Sequence, residues 1–448
     1  MEGENARDAL FHSNGTTALE TYSVIFPSAL LTFITTTASS FIVISSYAKL
    51  FVLDFVFLVI PLILNVTIFA NLINEIIFTL ICVSICALMI RQDTNEKPAP
   101  KQLTTDCTKL NYITNLRSTI NIMSVLAILA VDFPVFPRRF TKTETVGYSL
   151  MDVGVGLYIL SNGIVAPEVH AKTTSLTNII KSTIPLITLG CARFLLVKEL
   201  DYYVPVSEYG VHWNFFITLA VTKILCSLIL KIISIQYAII ISVCILLVHE
   251  VGLQLFLFDF VMTQTERNTF WTANREGIVS IPGYVGLYFI SVGIGDILGI
   301  RSKYHMKKKF KLGLKLVACS FIFLWATFLL DKNFGVSRRL ANSGYCAWVM
   351  FIGISMTSFF YLIEQIQVHI YKKSNIEHPI YVPFIFEAIN YNGLAYFLLC
   401  NVLTGIINIP SDTMTYDTNS SLMIIILYML INCGIMCVLY YKNIKLKL

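Results

Sequence analysis

The residues that suggest chemistry lie in one short polar interruption of an otherwise apolar chain. Asp132 ends an apolar run, and Lys142 follows ten positions later. Pro134 and Pro137 lie between them, so a single helix face cannot carry both charges and a fold-back loop is needed to bring them together. An acid and an amine that share a partly dehydrated site tune each other's pKa, which is typical of a proton-transferring pair. A structural ion pair is the alternative interpretation.

The composition indicates a multi-pass membrane protein. Of the 448 residues, 56% are hydrophobic and 13% are charged, whereas soluble domains carry about 25% charged residues. Apolar runs of roughly 20 residues recur along the whole chain and leave no room for a soluble domain. The formal charge of +6 comes from basic loops and does not indicate nucleic acid. The eleven cysteines form no CxxC pair and no metal-ligand spacing, so no bound metal is expected.

The apolar pattern predicts an all-α, polytopic fold with about 13 transmembrane helices. A lumenal segment (1–22) precedes a single multi-span domain (23–441), and a short basic cytosolic tail (442–448) follows it. The predicted spans are 24–44, 50–68, 72–90, 117–136, 147–166, 174–196, 213–231, 235–257, 278–298, 313–331, 341–363, 383–408 and 420–440.

The distribution of basic residues predicts the orientation of these spans. The loops after the third, ninth and eleventh spans and the C-terminal tail are rich in lysine and arginine. The positive-inside rule places them in the cytosol, and the odd number of spans then places the N-terminus in the lumen and the C-terminus in the cytosol. Two glycosylation sequons, at Asn14 and Asn419, fall on the predicted lumenal side.

Several polar residues lie on the lumenal side, where the same rule disfavours cations. Clustered cations there suggest an anionic ligand such as a phosphate, although lumenal loops also tolerate a few charges. The basic residues concerned are Arg138, Arg139, Lys142, Arg267, Arg275, Arg338 and Arg339. His212, Trp213 and Asn214 open the seventh span at this boundary, where they suit a headgroup contact, a proton carrier or an aromatic interface belt.

The twelfth predicted span carries a polar stripe. On one continuous helix, its polar side chains fall within an arc of about 100°. This wall then faces protein or water rather than lipid, and hydrogen bonds between helices explain it about as well as a ligand site does. The residues are Glu387, Asn390, Asn401, Thr404 and Asn408.

Sequence motifs of soluble hydrolases and nucleotide-binding enzymes are missing: the chain has no GxSxG, HExxH or Walker A sequence. The sequence is still compatible with a reaction that needs only substrate positioning and a base, such as attack of a hydroxyl on an activated acyl group. A membrane lipid transporter or flippase is an alternative, because it also uses intramembrane charges. A non-catalytic subunit of a membrane complex is a third possibility.

Besides the N-terminal FHSNGTTALE (11–20), five stretches of the chain resemble one enzyme family. The run RSTINIMSVLAILAVDFPVFPRRFTKTET…GYSLMDVGVGLYILSNGIV (117–165) resembles the inositol acyltransferases of glycosylphosphatidylinositol (GPI) anchor biosynthesis, the family of the fungal GPI-anchored wall transfer protein and the animal PIG-W. The other four stretches are EYGVHWNFFITLA (208–220), NREGIVSIPGY (274–284), SRRLANSGYCAWV (337–349) and NYNGLAYFLLCNVLTGIIN (390–408). One departure is Val146, where the family often has tryptophan.

The resemblance implies a multi-pass enzyme of the endoplasmic reticulum. It would transfer a palmitoyl chain from acyl-CoA to the inositol 2-hydroxyl of glucosaminyl-phosphatidylinositol. Acyl-CoA would be a co-substrate, and no permanently bound cofactor is expected. The family motif maps its catalytic acid and lysine onto Asp132 and Lys142. Residues expected to bind the substrates are Arg138, Arg139, Asn162, His212, Trp213, Asn214, Arg275, Arg338, Arg339, Asn390 and Asn392. CoA is cytosolic, whereas these charges lie towards the lumen, so a deep cavity reached from the cytosol is expected.

Overall fold

The computed structural model describes residues 12–41, 46–93, 110–170, 175–199, 206–262, 266–298, 309–373, 380–409 and 412–446. The helices within these ranges are α1 (Ala18–Ile25), α2 (Pro27–Phe41), α3 (Tyr47–Asp54), α4 (Ile60–Val66), α5 (Ile73–Asp93), α6 (Asn111–Ala130), α7 (Val153–Ile164), α8 (Leu176–Glu199), α9 (Phe215–Ile232), α10 (Ala238–Gly252), α11 (Phe258–Met262), α12 (Phe270–Ala273), α13 (Arg275–Ile297), α14 (Lys309–Phe334), α15 (Ser343–Lys373), α16 (Phe384–Tyr391), α17 (Gly393–Asn408) and α18 (Thr418–Tyr441). π-Helical turns join α3 to α4 (Phe55–Val59) and α10 to α11 (Leu253–Leu257). Two short strands, β1 (His12–Ser13) and β2 (Lys142–Thr143), pair in parallel.

The prediction of an all-α, multi-pass membrane protein is confirmed. In the part of the chain that the structure describes, ten helical segments are long and apolar enough to cross a membrane. The predicted fifth and twelfth spans contain shorter apolar helices, Val153–Ile164 and Gly393–Asn408. Length and composition therefore do not establish the predicted count of thirteen.

Two predicted helices end or break at residues that the local sequence explains. α6 stops at Ala130 rather than continuing to residue 136, because Pro134 and Pro137 follow it. The twelfth span is not one continuous helix, since it is interrupted at Asn392 between α16 and α17. The prediction that all five polar residues of this span share one helix face is therefore wrong, because Glu387 and Asn390 lie on α16 and the other three lie on α17.

The chain forms two compact units. In the described residues, the first unit comprises 12–16 and 141–355, and its central helix is α13. This helix packs against α7, α9 and α10 and is buried along most of its length. Its many glycine and serine residues permit such close approach of neighbouring helices.

The second unit contains the remaining described residues, from 17 to 140 and from 356 to 446. Its most buried long helix is α6, which packs against α16, α17 and α18. Ser118 of α6 donates a hydrogen bond to the Phe386 carbonyl (2.6 Å). Residues of the predicted catalytic motif are thus divided, because Asp132 follows α6 in the second unit and Lys142 lies in β2 of the first.

Candidate active site

Four loops of the first unit converge at the ends of its helices. They are residues 141–152, 206–214, 266–274 and 335–342. Ser337 donates a hydrogen bond to the Thr145 carbonyl (2.6 Å), and the Val211 amide donates to the Ala273 carbonyl (2.9 Å). The sequence analysis had placed these loops on one side of the membrane, and the structure brings them into contact.

Asp152 joins two of these loops and is almost completely buried. Its Oδ2 accepts hydrogen bonds from the Thr143 amide (3.1 Å), the Thr143 hydroxyl (2.7 Å) and the Ser149 hydroxyl (2.9 Å). Its Oδ1 accepts from Arg338 Nε at 2.7 Å. The Asp152 carboxylate therefore fixes β2, which carries Lys142, relative to the loop that precedes α15.

Lys142 forms an ion pair with Glu208, which is 9% exposed. Burial lowers the pKa of Lys142, and the neighbouring cations Arg338 and Arg193 act in the same direction, whereas Glu208 opposes them. For Glu208, burial acts to raise the pKa, but the charges of Lys142 and Arg338 outweigh it and lower the pKa to about 2. Glu208 is thus a fixed anion that holds the Lys142 amine.

Arg338 lies between the two acids and is 3% exposed. Burial alone would lower the pKa of its guanidinium, but Asp152 and Glu208 raise it instead. The adjacent Tyr209 phenol has its pKa raised to about 12, mainly by burial, so it stays protonated. Lys142, Arg338 and Tyr209 together supply N–H and O–H donors of the kind that stabilise a developing oxyanion.

A second charge cluster, the arginine triad, surrounds the fully buried carboxylate of Glu276. Arg267 contacts it through two nitrogens (2.6 and 3.1 Å), Arg339 through one (3.0 Å), and Arg275 Nε lies 3.5 Å away. Three guanidinium groups therefore surround one carboxylate.

The segment 212–214 lies between Glu208 and Arg267 in the sequence. Its three side chains have separate roles. The His212 ring is exposed, and its amide donates to Asn274 Oδ1 (2.7 Å). Trp213 Nε1 donates to Thr218 (2.9 Å). Asn214 caps α9, because its Oδ1 accepts from the first-turn amides (3.1 and 3.2 Å) and its Nδ2 donates to the Gly190 carbonyl (2.8 Å). The structure therefore gives Asn214 a helix-capping role.

In the second unit, Arg138 folds back onto the turn that contains Asp132. Its two terminal nitrogens donate to the carbonyls of Val131 (2.8 Å) and Phe133 (3.0 Å), the residues on either side of the acid. The Asp132 side chain is 8% exposed, and its Oδ2 accepts from Asn408 Nδ2 at 2.8 Å. Burial lowers the pKa of Arg138, and Asp132 opposes this shift. Arg138 thus orients the backbone that carries Asp132.

Arg139 contacts different residues of the second unit. Its Nε donates to Glu20 (2.8 Å) and one terminal nitrogen donates to Asn71 Oδ1 (2.7 Å). Together with Asn74, these residues line a polar cavity of about 440 Å³. A role of Arg139 in phosphate binding stays a prediction.

The remaining predicted site residues are distributed through both units. Asn392 Nδ2 donates to the Ile444 carbonyl and its Oδ1 accepts from the Leu446 amide (both 3.0 Å), so it tethers the C-terminal tail. Asn390 is half-buried, and Asn162 is exposed on α7. Both sequon asparagines, Asn14 and Asn419, are exposed.

The acids Asp152, Glu208 and Glu276 were not predicted as members of the site. Each lies in a stretch that resembles the family, but the expectation of an anionic ligand singled out the lumenal cations and not these acids. A buried cation requires a nearby acid to neutralise it, and this requirement could have identified the three acids from the sequence.

The fold and these clusters define a class: a multi-pass membrane protein with a buried, hydrogen-bonded charge network at the ends of its helices. The sequence matches the GWT1 family over residues 4–439, and the chain belongs to that family. The bovine "Glucosaminyl-phosphatidylinositol-acyltransferase PIGW" is 31% identical over 448 residues, which covers 89% of this chain and 88% of the relative. The "GPI-anchored wall transfer protein 1" of Saccharomyces cerevisiae is 32% identical (89% of each chain), and that of Schizosaccharomyces pombe is 36% identical over 72% of this chain and 70% of its own.

Proposed function

We infer that this chain is an inositol acyltransferase of GPI-anchor biosynthesis, which transfers a fatty acyl chain to the inositol of glucosaminyl-phosphatidylinositol. The observation that carries this inference is the family match, which spans nearly the whole chain, together with the activity for which the bovine relative is named. The stretches that resemble the family also contain the residues of the buried charge network, which supports a reaction site there.

We further propose that acyl-CoA, with a palmitoyl chain, is the donor. A thioester is already activated, so the enzyme has to orient the acceptor hydroxyl, accept its proton and stabilise the oxyanion. The 2-hydroxyl oxygen attacks the thioester carbonyl, a C–O bond forms and the C–S bond breaks. The hydroxyl proton passes to the base and then to the departing thiolate, which leaves as CoA–SH.

Asp132 and Lys142 are the proposed catalytic residues. Asp132 is the candidate base, because Arg138 fixes the carbonyls on both sides of it. Lys142 is the candidate oxyanion stabiliser, since Glu208 favours its charged form and holds its amine in place. Arg338 and Tyr209 are further candidates for oxyanion contacts.

The proposed setting is the membrane of the endoplasmic reticulum, with thirteen passes and a lumenal N-terminus. We also propose that four cations on the predicted cytosolic side bind the CoA phosphates: Lys172, Lys181, Arg301 and Lys303. Lys181 is exposed. The other three, Lys172, Arg301 and Lys303, lie outside the described residues.

The test is an acylation assay on detergent-purified full chain with labelled palmitoyl-CoA and glucosaminyl-phosphatidylinositol. Wild type is expected to form acylated lipid, and Asp132→Asn and Lys142→Met are each expected to lose at least about a hundredfold in kcat, the usual contribution of a positioned proton-transfer group. Lys332→Gln removes an exposed cation and serves as the control. Absence of product with wild type would overturn the proposed acyl transfer. Full activity in both variants would overturn the catalytic roles of Asp132 and Lys142.

A further inference from the structure

A cavity of about 460 Å³ lies inside the first unit, between α10, α13, α14 and α15. This cavity, the hydrocarbon slot, has a volume typical of a ligand site. Almost all of its lining is apolar, including Leu246, Leu247, Ile290, Phe323, Leu330 and Met350.

The dimensions of the hydrocarbon slot match one leaflet of a bilayer. Along α14 it extends from Phe323 to Phe334, a length of about 16 Å at 1.5 Å per residue. One leaflet contributes about 15 Å to the hydrocarbon core. The lining residues Leu247, Val251 and Leu255 are 61%, 57% and 73% exposed, so the slot is open at its flank. A lipid chain can therefore enter sideways from the bilayer.

The polar groups of the slot lie where α15 begins. Glu250 accepts hydrogen bonds from the amide (3.0 Å) and the hydroxyl (2.5 Å) of Ser343. The carboxylate is thus neutralised by the N-terminus of α15, where negative charge is favoured. Gln254 also lines this end. The slot therefore has one polar end and one hydrocarbon end, as a lipid chain with a headgroup requires.

The arginine triad lies beyond that polar end. Arg339 donates to the Val261 carbonyl (3.2 Å), and Val261 is six residues past Leu255, about 9 Å along the helix. Leu340, which follows Arg339, and Val261 belong to one buried apolar cluster. The triad is therefore at headgroup distance from the slot.

The triad also has unused donor capacity. Arg339 donates to Glu276 through one nitrogen only (3.0 Å), and Glu266, the neighbouring acid in sequence, is hydrogen-bonded to Asn268. Arg339 is 10% exposed, and its Nε has no hydrogen-bond acceptor among the described residues. Arg267 is 25% exposed, which leaves the cluster accessible. A phosphate is the anion that such an arrangement of guanidinium groups binds best.

We infer that the arginine triad and the hydrocarbon slot together bind the acceptor lipid. The triad holds its phosphodiester and the slot holds one of its hydrocarbon chains. This inference rests on the proposed function for the identity of the lipid. A link to the reaction centre supports it, since the Gly277 amide, next to Glu276, donates to the Tyr209 carbonyl (3.0 Å), next to Glu208.

The test separates binding from catalysis. Glucosaminyl-phosphatidylinositol, phosphatidylcholine and palmitoyl-CoA are each added to the purified full chain, and occupancy is measured by native mass spectrometry. Arg339→Gln weakens the triad, and Leu247→Trp fills the slot from an exposed position. Each is expected to lower glucosaminyl-phosphatidylinositol affinity and raise its KM by about tenfold, with kcat and the KM for palmitoyl-CoA within about twofold.

Val248→Trp and Lys332→Gln are the matched controls and are expected to behave as wild type. Val248 is 74% exposed on the same helix, outside the slot, and Lys332 is an exposed cation of α14. The inference is overturned if the variants raise the KM for palmitoyl-CoA instead, if phosphatidylcholine binds wild type equally well, or if acceptor binding does not change. A wild-type chain that binds the acceptor but transfers no acyl group would contradict the proposed function and not the binding site.

Discussion

Arg338 Nε donates a hydrogen bond to Asp152 Oδ1 at 2.7 Å, across 186 residues of sequence. The two side chains are 3% and 1% exposed, so neither charge has appreciable contact with solvent. A buried pair of this kind stabilises a fold mainly through the cost of separating it. Because Asp152 also fixes β2 and Arg338 faces Glu208, this ion pair determines where the Lys142 amine lies.

Replacement of Asp152 by Asn is therefore expected to destabilise the protein. The change removes the carboxylate that is hydrogen-bonded to the buried Arg338 and leaves it only Glu208, which already pairs with Lys142. Breaking a buried pair in this way costs about 3–5 kcal/mol. The thermal midpoint of the purified protein measures this loss. In the double variant Asp152→Asn/Arg338→Met, which removes both charges, much of the midpoint should return while acyl transfer stays low. Equal midpoints for wild type and Asp152→Asn would contradict the assignment.

Glu208 predicts a specific pH dependence of stability. Its pKa of about 2 in the folded protein lies below the ordinary value of 4.5, so the folded state binds fewer protons at this site. The resulting stabilisation, about 3 kcal/mol, is present above pH 4.5 and is lost as the pH falls towards 2. Glu208→Gln should lower the thermal midpoint most at pH 6–7, and its difference from wild type should shrink below pH 4.5. Glu266→Gln, at an exposed glutamate, should show no such trend.

Arg138 is predicted to act on Asp132 rather than on a phosphate. Its guanidinium bridges the carbonyls of Val131 and Phe133, and an ammonium group cannot reproduce this fork. Arg138→Gln and Arg138→Lys should therefore both reduce kcat by about tenfold or more with little change in acceptor KM. Lys442→Gln, at an exposed cation of the same unit, is the control. An increase in acceptor KM at unchanged kcat would instead make Arg138 a substrate-binding residue, as the sequence analysis expected.

The sequence predicted the membrane class and most helices because apolar runs are a local property. It missed the interruption at Asn392, although Asn392-Gly393 is a recognised turn signal, because the apolar residues around it dominated the interpretation. The sequence pattern did not predict which residues contact each other over long distances in the chain. Asp132 and Lys142 were paired because both lie in one short polar interruption and match the family motif. In the structure, Asp132 is hydrogen-bonded to Asn408, 276 residues away, and Lys142 to Glu208, 66 residues away. No periodicity of the sequence encodes such contacts, so the catalytic pair stays a prediction.

The exposed sequons test the predicted orientation. Asn14 precedes α1 and Asn419 lies in the first turn of α18. If both face the lumen, endoglycosidase treatment should increase the gel mobility of wild type, and Asn14→Gln and Asn419→Gln should each remove one glycan. The double variant should be insensitive to the enzyme. A glycan at one position only would place the two sites on opposite sides and contradict the odd number of spans.

Gly283 is predicted to be indispensable for placing the loop that carries Arg338 and Arg339. A Cβ atom at this position would lie 1.8 Å from the Ala341 carbonyl oxygen, far inside van der Waals contact. Ala341 has a φ of +47°, so the turn before α15 is already in the left-handed region and cannot relax easily. Gly283→Ala should therefore cost about 1–3 kcal/mol or more and reduce acyl transfer, because both charge clusters depend on this loop. Gly405→Ala, where nothing lies within 4 Å of the added atom, should retain the wild-type midpoint and activity. Ala341→Gly combined with Gly283→Ala should recover part of the loss by relieving the turn, whereas full stability of Gly283→Ala alone would show that the loop is free to move.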